Sequence, residues 1–318
     1  MVPKRVFITR MLLSEGAHYL AEQGFHVETN SEDRTLTRME LLQKASAFEA
    51  LITTLSDRID RNFLMANPQL KIIANYAVGF NNIDVVSARE LGILVTNTPD
   101  VLTEATAETA MGLMIAAARQ FHEAASTVRN GDWKSWHPQK HLGPSLRGKT
   151  LGIIGLGRIG KRLAEMAHYA FQMPILYTAH TKKETSFEAT KVSLHELLEK
   201  SDFVSIHVPL SDETRGMIGA PEFSRMKKTA VLVNTARGEI IDQEALISAL
   251  KTKSLFSAGL DVMTPEPLLL TSELMGLSNA YLLPHIGSAT FEARREMAML
   301  CARNVAAGLR GEPLLSPV

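Results

Sequence analysis

The feature that most constrains this chain is a glycine pattern near its middle. Gly155-Leu156-Gly157-Arg158-Ile159-Gly160 follows directly on the apolar run 151–154 and opens an amphipathic stretch that reaches 169. A lone G-x-G-x-x-G arises by chance, but a strand before it and a helix behind it are the context of a dinucleotide site. Gly155 permits a tight turn, Gly157 lets the backbone approach a pyrophosphate, and Gly160 lets the helix pack closely on the strand. The helix N-terminus then offers N–H groups and a positive dipole end to phosphates.

Around this turn, short β-rich runs alternate with helical stretches along nearly the whole chain. Strands are expected at 5–9, 25–29, 50–53, 70–75 and 93–97, with helices at 14–23 and 38–45 and a short one ending near Pro68. A long helix at 103–120, almost all Ala, Met, Leu and Glu, is apolar nearly all round and is expected to be buried on several sides. Residues 130–148 read as irregular. A second series follows, with strands at 151–154, 174–178, 203–207, 231–234, 257–261 and 280–283. Its helices are at 159–169, 194–198, 221–226 and 243–250, and a last long helix covers 291–308. Strands separated by helices imply parallel sheets. The pattern therefore predicts an α/β chain of two doubly wound halves, which suits 318 residues at about 150 per domain. The long helices at 103 and 291 are read as the crossings between the halves, with the tail returning to the first.

Lys plus Arg and Asp plus Glu both number 34, so the formal charge is zero. Such a chain has no global attraction to nucleic acid or to an anionic membrane, and any anion must be held locally. The single cysteine, Cys301, excludes an internal disulfide framework and a Cys-based zinc site and suits a reducing, cytoplasmic setting. No apolar run approaches the roughly 20 residues that cross a bilayer, and no secretory pattern is visible at residues 1–10. His137 and His141 lie in the irregular segment without a Cys or acid partner close by, so no metal is expected.

Three further stretches carry chemistry. The strand after the glycine turn ends in Tyr177-Thr178-Ala179-His180-Thr181-Lys182-Lys183, where NAD sites place an acid for the ribose hydroxyls. A hydroxyl, an imidazole and two cations suit a 2′-phosphate instead, so NADP(H) is preferred, with NAD(H) possible. Arg237, in Asn234-Thr235-Ala236-Arg237-Gly238, closes another strand end. It offers a planar fork to a carboxylate, or forms a surface ion pair. His285 sits between Pro284 and a Gly287-Ser288 turn and can transfer a proton near neutral pH. A carboxylate such as Glu266 could hold its other nitrogen, although a histidine bonded to backbone is the ordinary case.

The order of these motifs carries a resemblance. Asn75-Tyr-Ala-Val78-Gly79-Phe-Asn-Asn-Ile-Asp84 comes first, then Val95-Thr-Asn-Thr-Pro99 with Thr103 to Glu108. The glycine turn, His207-Val-Pro209-Leu210, the Arg237 turn, Asp261 to Pro267 and Pro284-His285-Ile-Gly287 follow. Over essentially its full length the chain resembles the D-isomer-specific 2-hydroxyacid dehydrogenases. Within them it is most similar to the glyoxylate/hydroxypyruvate reductases, through the pair Trp133 and Trp136 and the cationic end after Tyr177.

The resemblance implies NADPH-dependent reduction of a small 2-keto acid to the D-2-hydroxy acid. Arg237 would bind the substrate carboxylate and polarise the keto oxygen, His285 would be the general acid, and Glu266 would orient it. Val78 and Gly79 would offer N–H groups to the carboxylate, Leu55 would line the pocket, and Trp136 would reach a neighbouring subunit's site. Gly155, Leu156, Gly157, Arg158, Ile159 and Gly160 would contact the cofactor. So would Thr106, His207, Pro209, Thr214, Thr235, Ala236, Asp261 and Gly287, with His180 and Lys182 at the extra phosphate. His180 stands where the NADP pattern has Arg, which softens that preference. A Rossmann cofactor domain at 99–287 would be inserted into a flavodoxin-like substrate domain of 1–98 plus 288–318. An arm at about 103–148 would make a homodimer. Two rivals remain: reduction of a larger sugar-derived keto acid such as 2-ketogluconate, and a non-catalytic dinucleotide-sensing module of the same fold.

Overall fold

Runs of four mostly apolar residues become strands that are buried along their whole length, the pattern of parallel sheets covered on both faces. The computed structural model describes residues 3–318 and divides them into two units. One takes the chain up to Leu102 together with Ala289–Val318, and the other takes Thr103–Ser288.

In the first unit, β1 (Arg5–Ile8), α1 (Glu15–Glu22), β2 (His26–Thr29), α2 (Arg38–Ala45) and β3 (Ala50–Thr53) lead on. α3 (Arg61–Met65), β4 (Ile72–Asn75), α4 (Val85–Glu90) and β5 (Leu94–Thr96) complete the series. The five strands are all parallel in the order β2-β1-β3-β4-β5. This is the flavodoxin-like order, whose switch point lies between β1 and β3. Helix α4 had no expectation because six residues show no period. Asp84 starts it by accepting from the Ser87 N–H at 2.9 Å.

In the second unit, α5 (Thr103–Ala118) and α6 (Phe121–Arg129) precede β6 (Leu151–Ile154), α7 (Arg158–Phe171), β7 (Ile175–Thr178) and β8 (Ala189–Lys191). Then come α8 (Leu194–Lys200), β9 (Phe203–Ile206), α9 (Ala220–Arg225), β10 (Val231–Asn234), α10 (Gln243–Lys251), β11 (Ser257–Leu260) and β12 (Ala280–Leu282). All seven strands are parallel in the order β12-β11-β10-β9-β6-β7-β8. From β8 inward this is the Rossmann order 3-2-1-4-5-6 with a seventh strand added, and its switch point lies between β6 and β9. The edge strand β8 and helix α6 escaped sequence reasoning because neither has an apolar face turned to the core: α6 buries no residue. Gln120 takes a left-handed φ of 52° and separates α6 from α5.

The last helix, α11 (Phe291–Arg310), belongs to the first unit. The two long helices are therefore not crossings, contrary to the sequence expectation. The chain passes between units just before each of them, and each helix then buries its apolar surface within one unit. Helix α5 packs on α7 and over β10 and β11, and α11 packs on α1 and over β4 and β3. Close approach decides both contacts. A Cβ on Gly259 would stand 3.0 Å from Leu113 Cβ, and one on Gly16 would stand 2.7 Å from the Ala298 carbonyl oxygen. The tail ends on the first sheet, with Val318 N–H donating to Val95 O at 3.0 Å. Cys301 lies fully buried in α11, and burial pushes its thiol well above the ordinary range.

Candidate active site

The glycine turn follows β6 at the Rossmann switch point, where open α/β sheets bind ligands. Gly155 takes φ +94°, and a Cβ there would meet Val208 Cγ1 at 2.7 Å and the His207 backbone at 2.9 Å. A Cβ on Gly160 would stand 2.5 Å from Gly155 O, so glycine lets α7 close on the turn. Gly157 differs: it is exposed, caps α7, and a Cβ there would meet nothing within 4 Å. The open side of the turn therefore faces away from protein, while Leu156 is buried beneath and Ile159 is half-buried. This is a cradle that a pyrophosphate fits.

Next to it, β7 ends at half-buried Thr178 and Ala179, followed by exposed His180, Thr181, Lys182 and Lys183. Two bonds shape this end: Lys183 N–H donates to Tyr177 Oη at 3.0 Å, and Lys191 Nζ donates to the His180 carbonyl at 3.0 Å. On β9's side, His207 Nε2 lies 2.8 Å from Ser205 Oγ, and burial lowers its pKa to about 4. Thr214 Oγ1 donates to Pro209 O at 2.7 Å and accepts from Ser211 N–H at 2.8 Å, closing the turn behind Pro209. Thr235, beyond β10, is 9% exposed, and its buried hydroxyl has no hydrogen-bond partner among the described residues. An orphaned buried hydroxyl and an open glycine cradle at one sheet edge are what a dinucleotide would satisfy.

Arg237 follows on the same strand end. The Asn234 side chain closes its turn, accepting from Ala236 N–H at 3.0 Å and donating to Arg237 O at 2.8 Å. The guanidinium donates to Ala236 O at 2.7 Å, and burial lowers its pKa against the opposing charges of Glu266 and Glu239. Gly238 is what brings this turn to the next one, since a Cβ there would overlap the Met263 carbonyl at 2.1 Å.

That next turn carries Glu266. One carboxylate oxygen accepts from Met263 N–H at 3.1 Å, and the other lies 2.8 Å from Nδ1 of His285. Burial would raise the Glu266 pKa. The bond and charge of His285, the Met263 N–H and the charge of Arg237 together hold it below the usual value. The imidazole keeps 29% of its side-chain surface open. Its backbone sits at φ +56°, a left-handed conformation that costs a residue with a Cβ about 1–2 kcal/mol.

Asp261 holds that conformation. Its carbonyl accepts from His285 N–H at 2.9 Å, and its buried carboxylate accepts from Ile286 and Gly287 N–H, both at 2.7 Å. Burial raises the Asp261 pKa, with those two N–H groups opposing it. A Cβ on Gly287 would stand 3.0 Å from Asp261 Oδ2 and 3.4 Å from Thr106 Cγ2, so Asp261, Gly287 and Thr106 meet here.

The second unit thus brings together Arg237, Glu266, His285 and Asp261. Sequence reasoning missed Gln243, whose amide pins the Glu266 loop: Oε1 accepts from Thr264 N–H at 2.9 Å and Nε2 donates to Thr264 O at 2.6 Å. No local signal marks a glutamine at the start of a helix as a brace for another loop. Trp136 stands 80% exposed on the arm, with no hydrogen bond or ring contact to any described residue. Within the first unit, Leu55 follows β3, and Val78 and Gly79 follow the neighbouring strand β4. Among the described residues, no group of three or more His, Cys, Asp or Glu could hold a metal ion. None of their helices is long and apolar enough to cross a membrane.

Comparison with known proteins gives three kinds of match. A family profile, "D-isomer specific 2-hydroxyacid dehydrogenase, NAD binding domain", matches residues 111–287. A glyoxylate reductase of Pyrococcus furiosus is 49% identical over 319 aligned residues, 98% of this chain and 94% of that protein. Among solved structures, a Thermus thermophilus protein superposes with a TM-score of 0.93 at 44% identity, covering 99% of both chains. An NADPH-dependent glyoxylate/hydroxypyruvate reductase of Sinorhizobium meliloti, in complex with NADP and malonate, superposes with a TM-score of 0.86 at 32% identity, covering 99% of this chain and 96% of that one.

Proposed function

Since this chain belongs to the D-isomer specific 2-hydroxyacid dehydrogenases, enzymes that use a nicotinamide dinucleotide on 2-keto and 2-hydroxy acids, we propose that it reduces glyoxylate and hydroxypyruvate with NADPH. One observation carries this reading: a half-buried arginine, a carboxylate and the histidine it holds follow three consecutive strands, β10, β11 and β12, of the sheet whose strand β6 carries the glycine cradle for a dinucleotide.

A nicotinamide dinucleotide, when bound, supplies the hydride that reaches the keto carbon. The residues do the rest. Arg237 takes the substrate carboxylate and faces the negative charge that develops on the keto oxygen, and its burial strengthens that interaction. Glu266 keeps the Nδ1–H of His285, so the proton delivered to the keto oxygen leaves from Nε2. Asp261 keeps the His285 backbone in its left-handed turn while this happens. From the first unit, the N–H groups of Val78 and Gly79 serve the substrate carboxylate and Leu55 borders the substrate.

The second unit is the cofactor unit on this reading, and the first is the substrate unit. Gly155 to Gly160, Thr106, His207, Pro209, Thr214, Thr235, Ala236, Asp261 and Gly287 serve the cofactor. NADPH is favoured because exposed His180 and Lys182 stand at the end of β7 where an NAD site needs an acid. The S. meliloti reductase, with NADP in its complex, supports the same choice. The exposed arm with Trp133, Trp136, Phe121 and Val128 supports a homodimer, in which Trp136 serves the neighbouring subunit. A neutral chain with one cysteine suits the cytoplasm.

The test is the initial rate of absorbance loss at 340 nm with glyoxylate and hydroxypyruvate, each with NADPH and NADH, beside His285→Ala. Fast NADPH oxidation that vanishes in the variant is the expected outcome. Faster rates with NADH would overturn the roles of His180 and Lys182 and leave the family intact. No turnover of either small acid would move the substrate to a larger keto acid.

A further inference from the structure

The loop after β4 has an unusual hydrogen-bond pattern. Three successive carbonyls are fastened: Ala77 O accepts from Thr98 N–H at 2.8 Å, Val78 O from Asn97 Nδ2 at 2.8 Å, and Gly79 O from Asn75 Nδ2 at 2.9 Å. No described group accepts from the N–H of Val78, Gly79 or Phe80. These peptide bonds are trans, and in a trans peptide the N–H points opposite to the carbonyl it shares a plane with. Fastening Ala77 O therefore aims Val78 N–H, and fastening Val78 O aims Gly79 N–H, away from those acceptor bonds.

The donors are themselves held. Asn75 is fully buried and pairs head to tail with Asn82: Asn75 Nδ2 donates to Asn82 Oδ1 at 3.1 Å, and Asn82 Nδ2 donates to Asn75 Oδ1 at 3.2 Å. Thr53 Oγ1 also donates to Asn75 Oδ1 at 3.0 Å. Asn82 Nδ2 further reaches Thr54 O and Asp57 O, both at 3.1 Å, which are the two ends of the turn that carries Leu55. Asn97 is tied by its backbone, its carbonyl accepting from Ser316 Oγ at 2.7 Å.

We infer that Asn97 and the Asn75–Asn82 pair form a positioning frame that aims the Val78 and Gly79 N–H groups at a substrate carboxylate and locks the Leu55 turn to that cradle. The inference rests on the proposed role of Val78 and Gly79. On this inference the three asparagines act through the loop they hold. Their effect is to have the two N–H groups in place before substrate arrives, so that binding does not have to order the loop. Loss of the frame should raise KM for the carboxylate substrate and leave the cofactor and the chemical step nearly untouched.

Asn97 gives the cleaner test because it lies at the surface side of the loop, and Asn97→Ala removes one donor and little packing. The expected result is a rise of about tenfold in KM for glyoxylate, with a matching rise in the inhibition constant of oxamate, a carboxylate that is not reduced. The kcat, the KM for NADPH and the melting temperature should stay close to those of the parent. Asn82→Asp keeps the shape but sets a carboxylate against Thr54 O and Asp57 O. It should show the same KM-weighted loss with a lower melting temperature. Unchanged KM and oxamate inhibition in folded Asn97→Ala would overturn the frame, as would a loss confined to kcat. A parent enzyme that turns over glyoxylate but is not inhibited by oxamate would instead sink the carboxylate role of Val78 and Gly79, and the frame with it.

Discussion

Glu266 Oε2 and His285 Nδ1 stand 2.8 Å apart, and the histidine that makes this bond has a left-handed backbone, with φ +56°. The contact engages Nδ1, and the side chain as a whole stays 29% exposed. The left-handed backbone also explains the residues around it. A strained turn persists only when its surroundings over-determine it, and Asp261 supplies three hydrogen bonds to residues 285–287 for that purpose.

The pair can be dissected in two variants. His285→Ala removes the proposed general acid and should lower kcat by about 10²–10⁴. Glu266→Gln keeps the shape but replaces one carboxylate oxygen with an NH2, so the ring loses its charged acceptor at Nδ1. The kcat should fall by at least about tenfold while the melting temperature stays close to the parent's. A kcat within twofold of the parent's would show that Glu266 does not position the histidine.

Two glycines of one motif should fail differently. A Cβ on Gly157 enters open space, and its φ of −80° and ψ of −165° suit any residue, so Gly157→Ala should fold normally. The methyl would occupy the cradle, and the dissociation constant for NADPH, measured by fluorescence titration, should rise at least about tenfold. Gly160→Ala puts a methyl 2.5 Å from Gly155 O and should lower the melting temperature by several degrees, since overpacking costs about 1–3 kcal/mol. Equal melting temperatures for the two variants would contradict this division.

Arg237→Lys keeps the charge and loses the fork. Its guanidinium is buried and already donates to Ala236 O, a geometry that a lysine on this turn cannot reproduce. Catalytic efficiency with glyoxylate should fall by about 10²–10³, the size seen for loss of one donor to developing charge. A variant within threefold of the parent would place substrate recognition elsewhere.

His207 makes stability depend on pH. Its folded pKa of about 4 lies below the ordinary 6.5, so between those values the unfolded chain binds the proton and the folded one does not. The contribution is complete above pH 6.5 and is lost as pH falls toward 4, by about 3 kcal/mol in all. Urea unfolding at pH 7.5 and pH 5 should show a flatter dependence in His207→Gln than in the parent. Parallel curves would mean that His207 is free to protonate in the folded state.

Much of this was legible in the residues. Apolar runs of four, separated by helices, announce parallel sheets because a strand covered on both faces has no polar side to show. The glycine turn was legible for a related reason: only glycine tolerates the contacts at Gly155 and Gly160. Helix α6 and strand β8 left no such mark because burial does not select their residues. The long helices misled because the apolar surface of a helix, all round in α5 and on one side in α11, says only that it is buried, not in which unit.

The sequence by itself determined the strands of the two sheets apart from the edge strand β8, the dinucleotide turn and the residue types of the site, since each rests on neighbours along the chain. Only the tertiary structure decided the partnerships. Glu266 meets His285 across 19 positions, Asp261 fastens Gly287 across 26, and Gln243 braces Thr264 across 21. Such pairs are set by where parallel strands end beside one another, and sheet order is a long-range property that no local window of sequence contains.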